Sequence, residues 1–344
     1  MKGNKYGTHR VISPVGLLPQ AAEIVDNNPA IYDNEILIEV IALQPTATAF
    51  GRIAKEANGN IEKIEKEIMN IVEKQGKFQD PVTKSGGMLI GTVKEIGKDL
   101  SNTVDIKVGD KIATLVSLSL TPLKIYEIEK IDVDTEQVFC KADAILFESG
   151  IWTKIPDDLE WQLSLALMDV CGAPSMVSTH AKAGDIVVVE GAGKAGLLCL
   201  AEAKRRVGVT GKVVCIEYSE KQCELIKELG IADVVLNANG QEPVEAYNKY
   251  MEVMDGQLAD FTVNTVSVPD TELSSIMVTK DSGMVYFFSM STNFAKASLG
   301  AEGIKKYTPM LIGNGYYPGH AEITFDIVRS FPKLREYLTN RYCK

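Results

Sequence analysis

A glycine-rich turn between a buried strand and a helix constrains the fold of this chain more than any other feature. The turn reads Gly191-Ala-Gly193-Lys194-Ala195-Gly196, and it follows the wholly apolar run Ile186-Val-Val-Val. The pattern G-x-G-x-x-G is weak evidence alone, but a preceding buried strand and a following helix give it meaning. Such a turn presents backbone N–H groups and a helix N-terminus to a pyrophosphate. The pattern therefore predicts a dinucleotide site, and a sharp turn without a ligand is the alternative.

After this turn, short apolar runs alternate with helical patterns as far as residue 313. Alternation of this kind is typical of a doubly wound parallel sheet with helices on both faces. A long loop is expected between 289 and 308. The predicted helices are 194–207, 219–229, 243–254 and 270–279, and the predicted strands are 186–189, 213–217, 233–236, 260–265, 283–289 and 308–313.

The first half of the chain follows a different pattern. Residues 34–44 partly alternate between apolar and polar side chains, as a half-buried strand does. Residues 60–75 have helical spacing, with Asn60 as the expected N-cap and Gly76 as the expected stop. Short strands with frequent Gly and Asp occupy 86–140, which indicates a small barrel or a curled sheet.

The composition excludes several classes of partner. Lys and Arg number 36 against 46 Asp and Glu, which gives a net charge of −10, and no basic block occurs. Neither a nucleic acid nor an anionic membrane is therefore an expected partner. The sequence has no run of 18 apolar residues, and its start lacks the apolar core of a signal peptide. The six cysteines are irregularly spaced without a C-x-x-C pair, so we expect reduced thiols and a cytoplasmic protein.

Residues at the ends of the predicted strands indicate the cofactor. Glu217 ends the second of these strands, where an acid typically accepts hydrogen bonds from the adenine ribose. A carboxylate there also repels a 2′-phosphate, which favours NAD while leaving NADP possible; a solvated Glu ahead of the next helix is the alternative. The expected cofactor-binding residues are Gly191, Gly193, Lys194, Ala195, Gly196 and Glu217, with Asn264, Thr265, Ser289 and Met290 near the nicotinamide.

A stretch in the first half resembles the medium-chain dehydrogenase/reductase superfamily. The pattern G-x-V-x-x-V-G followed by G-D-x-V is matched by Gly91, Val93, Ile96, Gly97, Gly109, Asp110 and Ile112. The resemblance implies an α/β protein with a GroES-like, β-rich catalytic domain and a Rossmann domain with a doubly wound parallel sheet. It places 1–155 and 316–344 in the catalytic domain and 156–315 in the Rossmann domain.

The regions that hold zinc in members of that superfamily differ here. Zinc-dependent members have Cys-His at the first ligand position and Gly-His-Glu before a barrel strand. This chain reads Gln44-Pro-Thr46-Ala-Thr48 and Gly86-Gly-Met-Leu89 in those places. Zinc needs Cys, His or carboxylate ligands, and Cys171 alone cannot hold it. The four-cysteine lobe of structural zinc is also absent from the sequence, so we expect no zinc.

Several segments narrow the resemblance to the L-erythro-3,5-diaminohexanoate dehydrogenase family. They include Tyr6-Gly-Thr-His-Arg-Val-Ile-Ser-Pro-Val-Gly-Leu-Leu-Pro19, Ser85-Gly-Gly-Met-Leu-Ile-Gly-Thr-Val and Ile312-Gly-Asn-Gly-Tyr316. The resemblance implies NAD-dependent oxidative deamination of a small diamino acid in lysine fermentation, giving 5-amino-3-oxohexanoate and ammonia. It also implies a homodimer joined by edge pairing near 308–313.

Two acids are candidates for the catalytic base that this chemistry requires. An amine gives up hydride only when its nitrogen lone pair is free, so a base must first take a proton from the ammonium. Asp169 lies in an otherwise apolar run, where a carboxylate needs a partner or a function; a helix-end or turn cap is its alternative role. Glu148 is the second candidate, or a solvated loop acid.

His9, Arg10 and two threonines complete the expected site. His9 suits proton transfer near pH 7, and Arg10 could fork onto the substrate carboxylate; a structural role is the alternative for His9. Thr46 and Thr48 could hydrogen-bond the amine, or pack at a strand end. His320 is expected at the surface or at a helix end.

Two other functions remain open at the level of sequence. One is a zinc-independent quinone or enoyl reductase, which would prefer NADPH. The other is a non-catalytic protein that binds a nicotinamide nucleotide without turnover. Glu217 disfavours the NADPH reductase, whereas the sequence does not decide against the non-catalytic protein.

Overall fold

The computed structural model describes residues 1–313 and 315–343. The chain divides into two compact units. The first unit comprises Met1–Asp169 together with the segment from Leu338 onward, and the second comprises Val170–Tyr337.

The first unit opens with a short irregular segment. A 3₁₀ turn, Thr8–Arg10, leads into β1 (Val11–Ser13), which pairs antiparallel with β2 (Ile24–Val25). Val11 and Val25 pack with Ala22 in a small apolar cluster of their own.

A six-stranded antiparallel sheet forms the body of the first unit. Residues 35–45 form the long central strand, because their apolar side chains line a buried face and their backbone pairs on both sides. The strands predicted within 86–140 are confirmed as part of this sheet. The strands are β3 (Glu35–Pro45), β4 (Gly87–Ile96), β5 (Lys111–Thr114), β6 (Leu123–Asp132), β7 (Gln137–Phe147) and β8 (Trp152–Lys154), in the order β6-β7-β3-β4-β5-β8.

Helices α1 (Ala47–Glu56), α2 (Ile61–Gln75) and α3 (Trp161–Met168) belong to this unit. The predicted α2 is confirmed: the Asn60 side chain accepts from the Lys63 N–H, and Gly76 ends the helix in the left-handed region at φ 70°. Helix α1 was not predicted, because this part of the sequence was interpreted as the counterpart of the zinc-ligand region and its apolar periodicity was not considered.

The second unit contains a six-stranded parallel sheet. Its strands are β9 (Ile186–Glu190), β10 (Lys212–Glu217), β11 (Val234–Asn237), β12 (Ala259–Asn264), β13 (Thr279–Phe287) and β14 (Met310–Ile312), in the order β11-β10-β9-β12-β13-β14. The predicted doubly wound sheet is confirmed. The strand order reverses between β9 and β12, and in such sheets a ligand binds at the carboxyl ends of the strands beside that point.

Sequence reasoning predicted four of the eight helices that the described residues form in the second unit, and it missed the first and the last three. The eight helices are α4 (Gly172–His180), α5 (Lys194–Val207), α6 (Glu220–Leu229), α7 (Pro243–Val253), α8 (Glu272–Val278), α9 (Phe294–Gly303), α10 (His320–Ser330) and α11 (Pro332–Tyr342), which runs on into the first unit. The loop expected between 289 and 308 contains α9, which Asn293 caps by accepting from the Lys296 N–H.

The observed division of the chain differs from the expected boundaries at 155 and 316. Helix α3 packs on β4 and β5 and so extends the first unit to Asp169. Helix α10 packs on α4 and α5, so the chain leaves the second unit only after Tyr337.

Two further sequence expectations bear on the chain as a whole. All six cysteines are free thiols, and five of them are buried. Across the described part of the chain, no helix combines the length and the apolar character that a bilayer crossing requires.

Candidate active site

The glycine turn has the geometry that dinucleotide binding requires. Gly191 has φ +86°, which only glycine adopts readily. A Cβ on Gly196 would lie 2.0 Å from the Gly191 carbonyl oxygen, so helix α5 packs closely on the turn only because Gly196 has no side chain. A Cβ on Gly193 would meet no atom within 4 Å, which leaves open space beside the N-terminus of α5. Lys194 and Ala195 begin that helix.

Thr265 and Asn264 support this turn from the end of β12. The Thr265 hydroxyl donates toward the Gly191 carbonyl at 3.0 Å, and the Thr265 N–H donates to the Glu190 carbonyl at 2.9 Å. Asn264 is buried, and its amide donates to the Thr271 carbonyl and to the Ser275 hydroxyl. Both side chains therefore make hydrogen bonds that shape the strand-end loops, and their contact with the nicotinamide stays a prediction.

Glu217 joins the end of β10 to the glycine turn. One carboxylate oxygen accepts from the Ala192 N–H at 2.7 Å, and the other accepts from the Ser219 N–H at 2.8 Å. Ser219, not Glu217, caps α6 by accepting from the Gln222 N–H. The carboxylate is thus held at the strand end, where the sequence predicted a ribose-binding acid.

The loop after β13 carries the other two predicted cofactor residues. The Ser289 hydroxyl accepts from the Ser291 N–H at 3.1 Å, and Met290 is 71% exposed. The backbone at the head of this loop is fixed by the Phe288 N–H, which donates to the Asn264 carbonyl at 3.0 Å. The loop is consequently tied to the end of β12, the strand beside the reversal in strand order.

A buried acid that the sequence analysis missed lies directly before the turn. Glu190 is the last residue of β9 and is almost completely buried. Burial raises the pKa of its carboxyl to about 7, although its hydrogen bonds with the Ser274 and Ser275 hydroxyls lower it. A charged residue that ends an otherwise apolar strand was the available signal, since such a position rarely carries an unpaired acid.

His9 and Arg10 meet a buried carboxylate in the first unit. The guanidinium of Arg10 binds both oxygens of Glu35 at 2.7 Å, and His9 Nε2 lies 2.8 Å from the same carboxylate. Burial alone would raise the pKa of Glu35, but the hydrogen bonds from Arg10, His9 and the Tyr32 N–H outweigh it and lower the pKa to about 2.

The remaining polar atoms of His9 and Arg10 are also engaged. Arg10 is 1% exposed and donates to the carbonyl oxygens of Asn28 and Ala30 at 2.9 and 2.8 Å. His9 Nδ1 accepts from the Asn4 N–H at 2.9 Å. The expectation that Arg10 forks onto a substrate carboxylate, with His9 as a base, is therefore replaced by a structural role around Glu35.

Glu148 anchors the same N-terminal segment. Its carboxylate accepts from the Asn34 amide at 2.9 Å, and that amide also donates to the Gly3 carbonyl at 3.0 Å. Glu148 is exposed. These contacts favour the solvated loop acid over the catalytic acid.

Thr46 and Thr48 belong to a cluster of hydroxyl groups. Thr46 caps α1, and its Oγ1 lies 2.7 Å from Ser85 Oγ and 3.2 Å from Thr48 Oγ1. Ser85 Oγ lies 2.7 Å from Thr83 Oγ1. The backbone N–H of Thr83 donates to the buried carboxylate of Asp80. The sequence analysis identified the two threonines but not Ser85 and Thr83, which come from a distant segment of the chain.

Asp169 occupies the C-cap of α3, as its alternative role predicted. It is partly exposed and interacts with neighbouring groups. A carboxylate at the C-terminus of a helix is disfavoured by the helix dipole. The position is therefore not explained by helix stability, and Asp169 stays a candidate base.

His320 lies at a helix end, one of the two places expected for it, and not at the surface. It begins α10 but is 3% exposed, and burial lowers its pKa. Its ring lies edge-on to Tyr316, with centroids 5.4 Å apart.

Metal-ligating side chains are not clustered in the described part of the chain. Among residues 1–313 and 315–343, no three His, Cys, Asp or Glu side chains are grouped so as to hold one. Thr46, Thr48 and Met88, which occupy the zinc-ligand region, are not zinc ligands.

Two family models match different parts of the chain. The family model for the N-terminal domain of L-erythro-3,5-diaminohexanoate dehydrogenase matches residues 9–156. The model of the zinc-binding dehydrogenase family matches residues 195–307.

Two curated relatives are similar over almost the whole chain. L-erythro-3,5-diaminohexanoate dehydrogenase of Acetoanaerobium sticklandii is 50% identical over 343 residues, covering 99% of this chain and 100% of the relative. The enzyme of the same name from Fusobacterium nucleatum is 47% identical over 342 residues and covers 99% of both chains.

The fold is similar to that of solved medium-chain dehydrogenases. The crystal structure of an alcohol dehydrogenase from Thermotoga maritima matches with a TM-score of 0.57 at 17% identity, covering 92% of this chain and 86% of that one. The predicted fold class, a β-rich GroES-like unit with a Rossmann unit, is confirmed.

Proposed function

The chain belongs to the L-erythro-3,5-diaminohexanoate dehydrogenase family, and from this premise we propose that it catalyses the NAD-dependent oxidative deamination of L-erythro-3,5-diaminohexanoate. The products are 5-amino-3-oxohexanoate and ammonia. The observation that carries the proposal is full-length identity of 47–50% to two enzymes of that name, combined with an intact glycine turn.

The reaction balances without a metal ion. The 3-ammonium group of the substrate has to lose a proton, and the carbon that bears this nitrogen then has to lose a hydride. A bound nicotinamide would accept that hydride with its two electrons. Water adds to the resulting iminium carbon, and the C–N bond breaks to leave a ketone and ammonia. The protein has to accept the first proton, exclude unproductive orientations and hold the cofactor.

Asp169 is the proposed proton acceptor. It lies at the C-cap of α3 in an otherwise apolar run and is partly exposed, a setting in which a carboxylate needs a partner or a function. A carboxylate also suits a cationic substrate, because it stabilises the ammonium that has to bind before it is deprotonated.

NAD is the proposed cofactor on the basis of Glu217. Its carboxylate is held at the end of β10 by the Ala192 and Ser219 N–H groups. An acid in this position accepts hydrogen bonds from the ribose hydroxyls and repels a 2′-phosphate. The open space at Gly193 and the N-terminus of α5 accommodate the pyrophosphate.

We further propose that the enzyme works without zinc and as a homodimer. The threonines in the ligand region support the first point, since they cannot replace Cys or His. Strand β14 is an edge strand of the parallel sheet, so its outer edge can pair with a second copy of the chain. Light scattering after size-exclusion chromatography should give twice the chain mass.

The function is tested by mixing purified protein with NAD and the diamine and following the NADH absorbance band. We expect turnover that survives prolonged dialysis against a chelator. Turnover that is lost on dialysis and restored by zinc would contradict the metal-free reaction. No turnover with the diamine, but oxidation of NADPH by a quinone, would overturn the function in favour of a quinone reductase.

A further inference from the structure

Glu190 is a buried acid that the proposed reaction does not use. It ends β9, adjoins Gly191 and contacts the hydroxyl groups of Ser274 and Ser275 on α8. The loop after β11 packs against it so closely that a Cβ on Gly240 would lie 2.1 Å from Glu190 Oε1. One side chain thus contacts α8 and a neighbouring strand-end loop at the root of the glycine turn.

Counting hydrogens gives the protonation state of this acid. The Ser274 hydroxyl has one hydrogen, and its oxygen lies 2.8 Å from the Thr271 carbonyl, which can only accept. If that hydrogen goes to Thr271, the contact between Ser274 and Glu190 requires a hydrogen on the glutamate. If Glu190 were ionised, one of the two contacts of Ser274 would place oxygen lone pairs against each other.

The hydrogen bond at the other carboxyl oxygen, Oε2, runs in the opposite direction, from the serine to the glutamate. The Asn264 amide donates to the Ser275 oxygen at 3.0 Å, which leaves the Ser275 hydrogen for Glu190 Oε2. A neutral carboxyl group, with one donor and one acceptor, therefore satisfies the contacts of Glu190 with both serines.

The charged and titratable surroundings also favour the neutral form. Glu272 on α8 is buried, accepts from the Asn293 N–H, and acts on Glu190 as a like charge. The thiol of Cys215 faces it from β10. Within residues 1–313 and 315–343, Glu190 forms no ion pair, and its burial is the largest cause of a pKa raised to about 7.

We propose that Glu190, held as a neutral carboxylic acid, is a positioning residue for the dinucleotide. It connects α8 with the loops after β11 and β12 beneath the glycine turn, and it places no negative charge where the pyrophosphate binds. Ionisation would add a carboxylate at the base of the turn and reverse the Ser274 hydrogen bond, so it opposes binding. The inference rests on the proposed function only in that the ligand is a nicotinamide dinucleotide.

The experiment measures the dissociation constant of NADH by fluorescence from pH 6 to 8.5. For the unmodified protein we expect affinity to fall about tenfold over this range, equivalent to one pKa unit of coupling between the proton and the ligand. Glu190→Gln supplies one donor and one acceptor without titrating, so its affinity should stay near the pH 6 value throughout. Glu190→Ala should bind NADH weakly at every pH, since both serines lose their partner.

Glu202→Gln is the matched control, because Glu202 is a buried acid of α5 that pairs with Arg206 instead. Its pH dependence should equal that of the unmodified protein. Identical pH profiles for the unmodified protein and Glu190→Gln would overturn the inference, and so would weak binding by Glu190→Gln at pH 6 or no NADH binding by the unmodified protein. The experiment contains no diamine, so its result does not depend on whether the proposed substrate is correct.

Discussion

Replacing Glu35 by Gln tests whether the buried pair with Arg10 stabilises the first unit through its charge. The pKa of Glu35 lies at about 2 in the folded chain, against an ordinary value of 4.5. At 1.36 kcal/mol for each pKa unit, the carboxylate contributes about 3 kcal/mol to the free energy of unfolding. Because the folded-state pKa is depressed, this contribution is complete above about pH 4.5 and is lost as the pH falls towards 2.

The assay is urea unfolding followed by tryptophan fluorescence. The only two tryptophans, Trp152 and Trp161, lie in the first unit, so the signal reports on that unit. Glu35→Gln should lower the free energy of unfolding by about 3 kcal/mol at pH 7 but by only about 1 kcal/mol at pH 3. Glu39→Gln, an exposed position on the same strand, should change it by less than about 0.5 kcal/mol. An equal loss for Glu35→Gln at both pH values would refute an origin in the carboxylate charge.

Four further predictions, one of them with a control substitution, test the second unit and the proposed base. Gly196→Ala should lower the melting temperature and abolish NADH binding, because its Cβ would meet the Gly191 carbonyl. Gly193→Ala is the control: its melting temperature in a thermal scan should be unchanged, and it should still bind NADH weakly in a fluorescence titration. Asp169→Asn should lower kcat at least about 100-fold in the NADH absorbance assay while the NADH dissociation constant stays unchanged. Glu217→Gln should reduce the ratio of kcat/KM with NAD to that with NADP about tenfold, measured with both cofactors. Glu190→Gln should raise the free energy of unfolding, measured by circular dichroism, by up to about 3 kcal/mol at pH 8 and by little at pH 4.5. The reason is that a carboxyl with a raised pKa in the folded state lowers stability only above its pKa in the unfolded chain.

The nucleotide half of the protein was largely predictable from sequence because its signals are local. A buried strand, three glycines and a helix lie within 22 consecutive residues, 186–207, and their order alone defines the turn. The predicted bounds of α5 and the caps of α2 agree with the structure for the same reason, since a cap and its helix are neighbours in the chain.

The site in the first unit was less predictable because its contacts join distant segments. Arg10 and Glu35 are 25 residues apart, and nothing local indicates that a guanidinium is buried against a strand residue. Ser85 reaches Thr46 across 39 residues. The sequence therefore identified polar residues of the correct types. It predicted that Arg10 binds the substrate, whereas Arg10 makes its hydrogen bonds within the protein.

Glu35 and Glu190 show why a buried acid cannot be assigned a charge from sequence alone. Both are strand residues and both are buried, yet their partners differ: a guanidinium faces Glu35, and two hydroxyl groups face Glu190. A cation stabilises the carboxylate, whereas hydroxyl groups also accept from the protonated acid. Below about pH 4.5 the first unit therefore loses the contribution of Glu35. Between about pH 4.5 and 7 the second unit loses stability progressively, because Glu190 stays protonated in the folded protein while the unfolded chain ionises. A fall in pH below 4.5 and a rise in pH towards 7 thus weaken different units, and the second effect falls on the unit that carries the glycine turn.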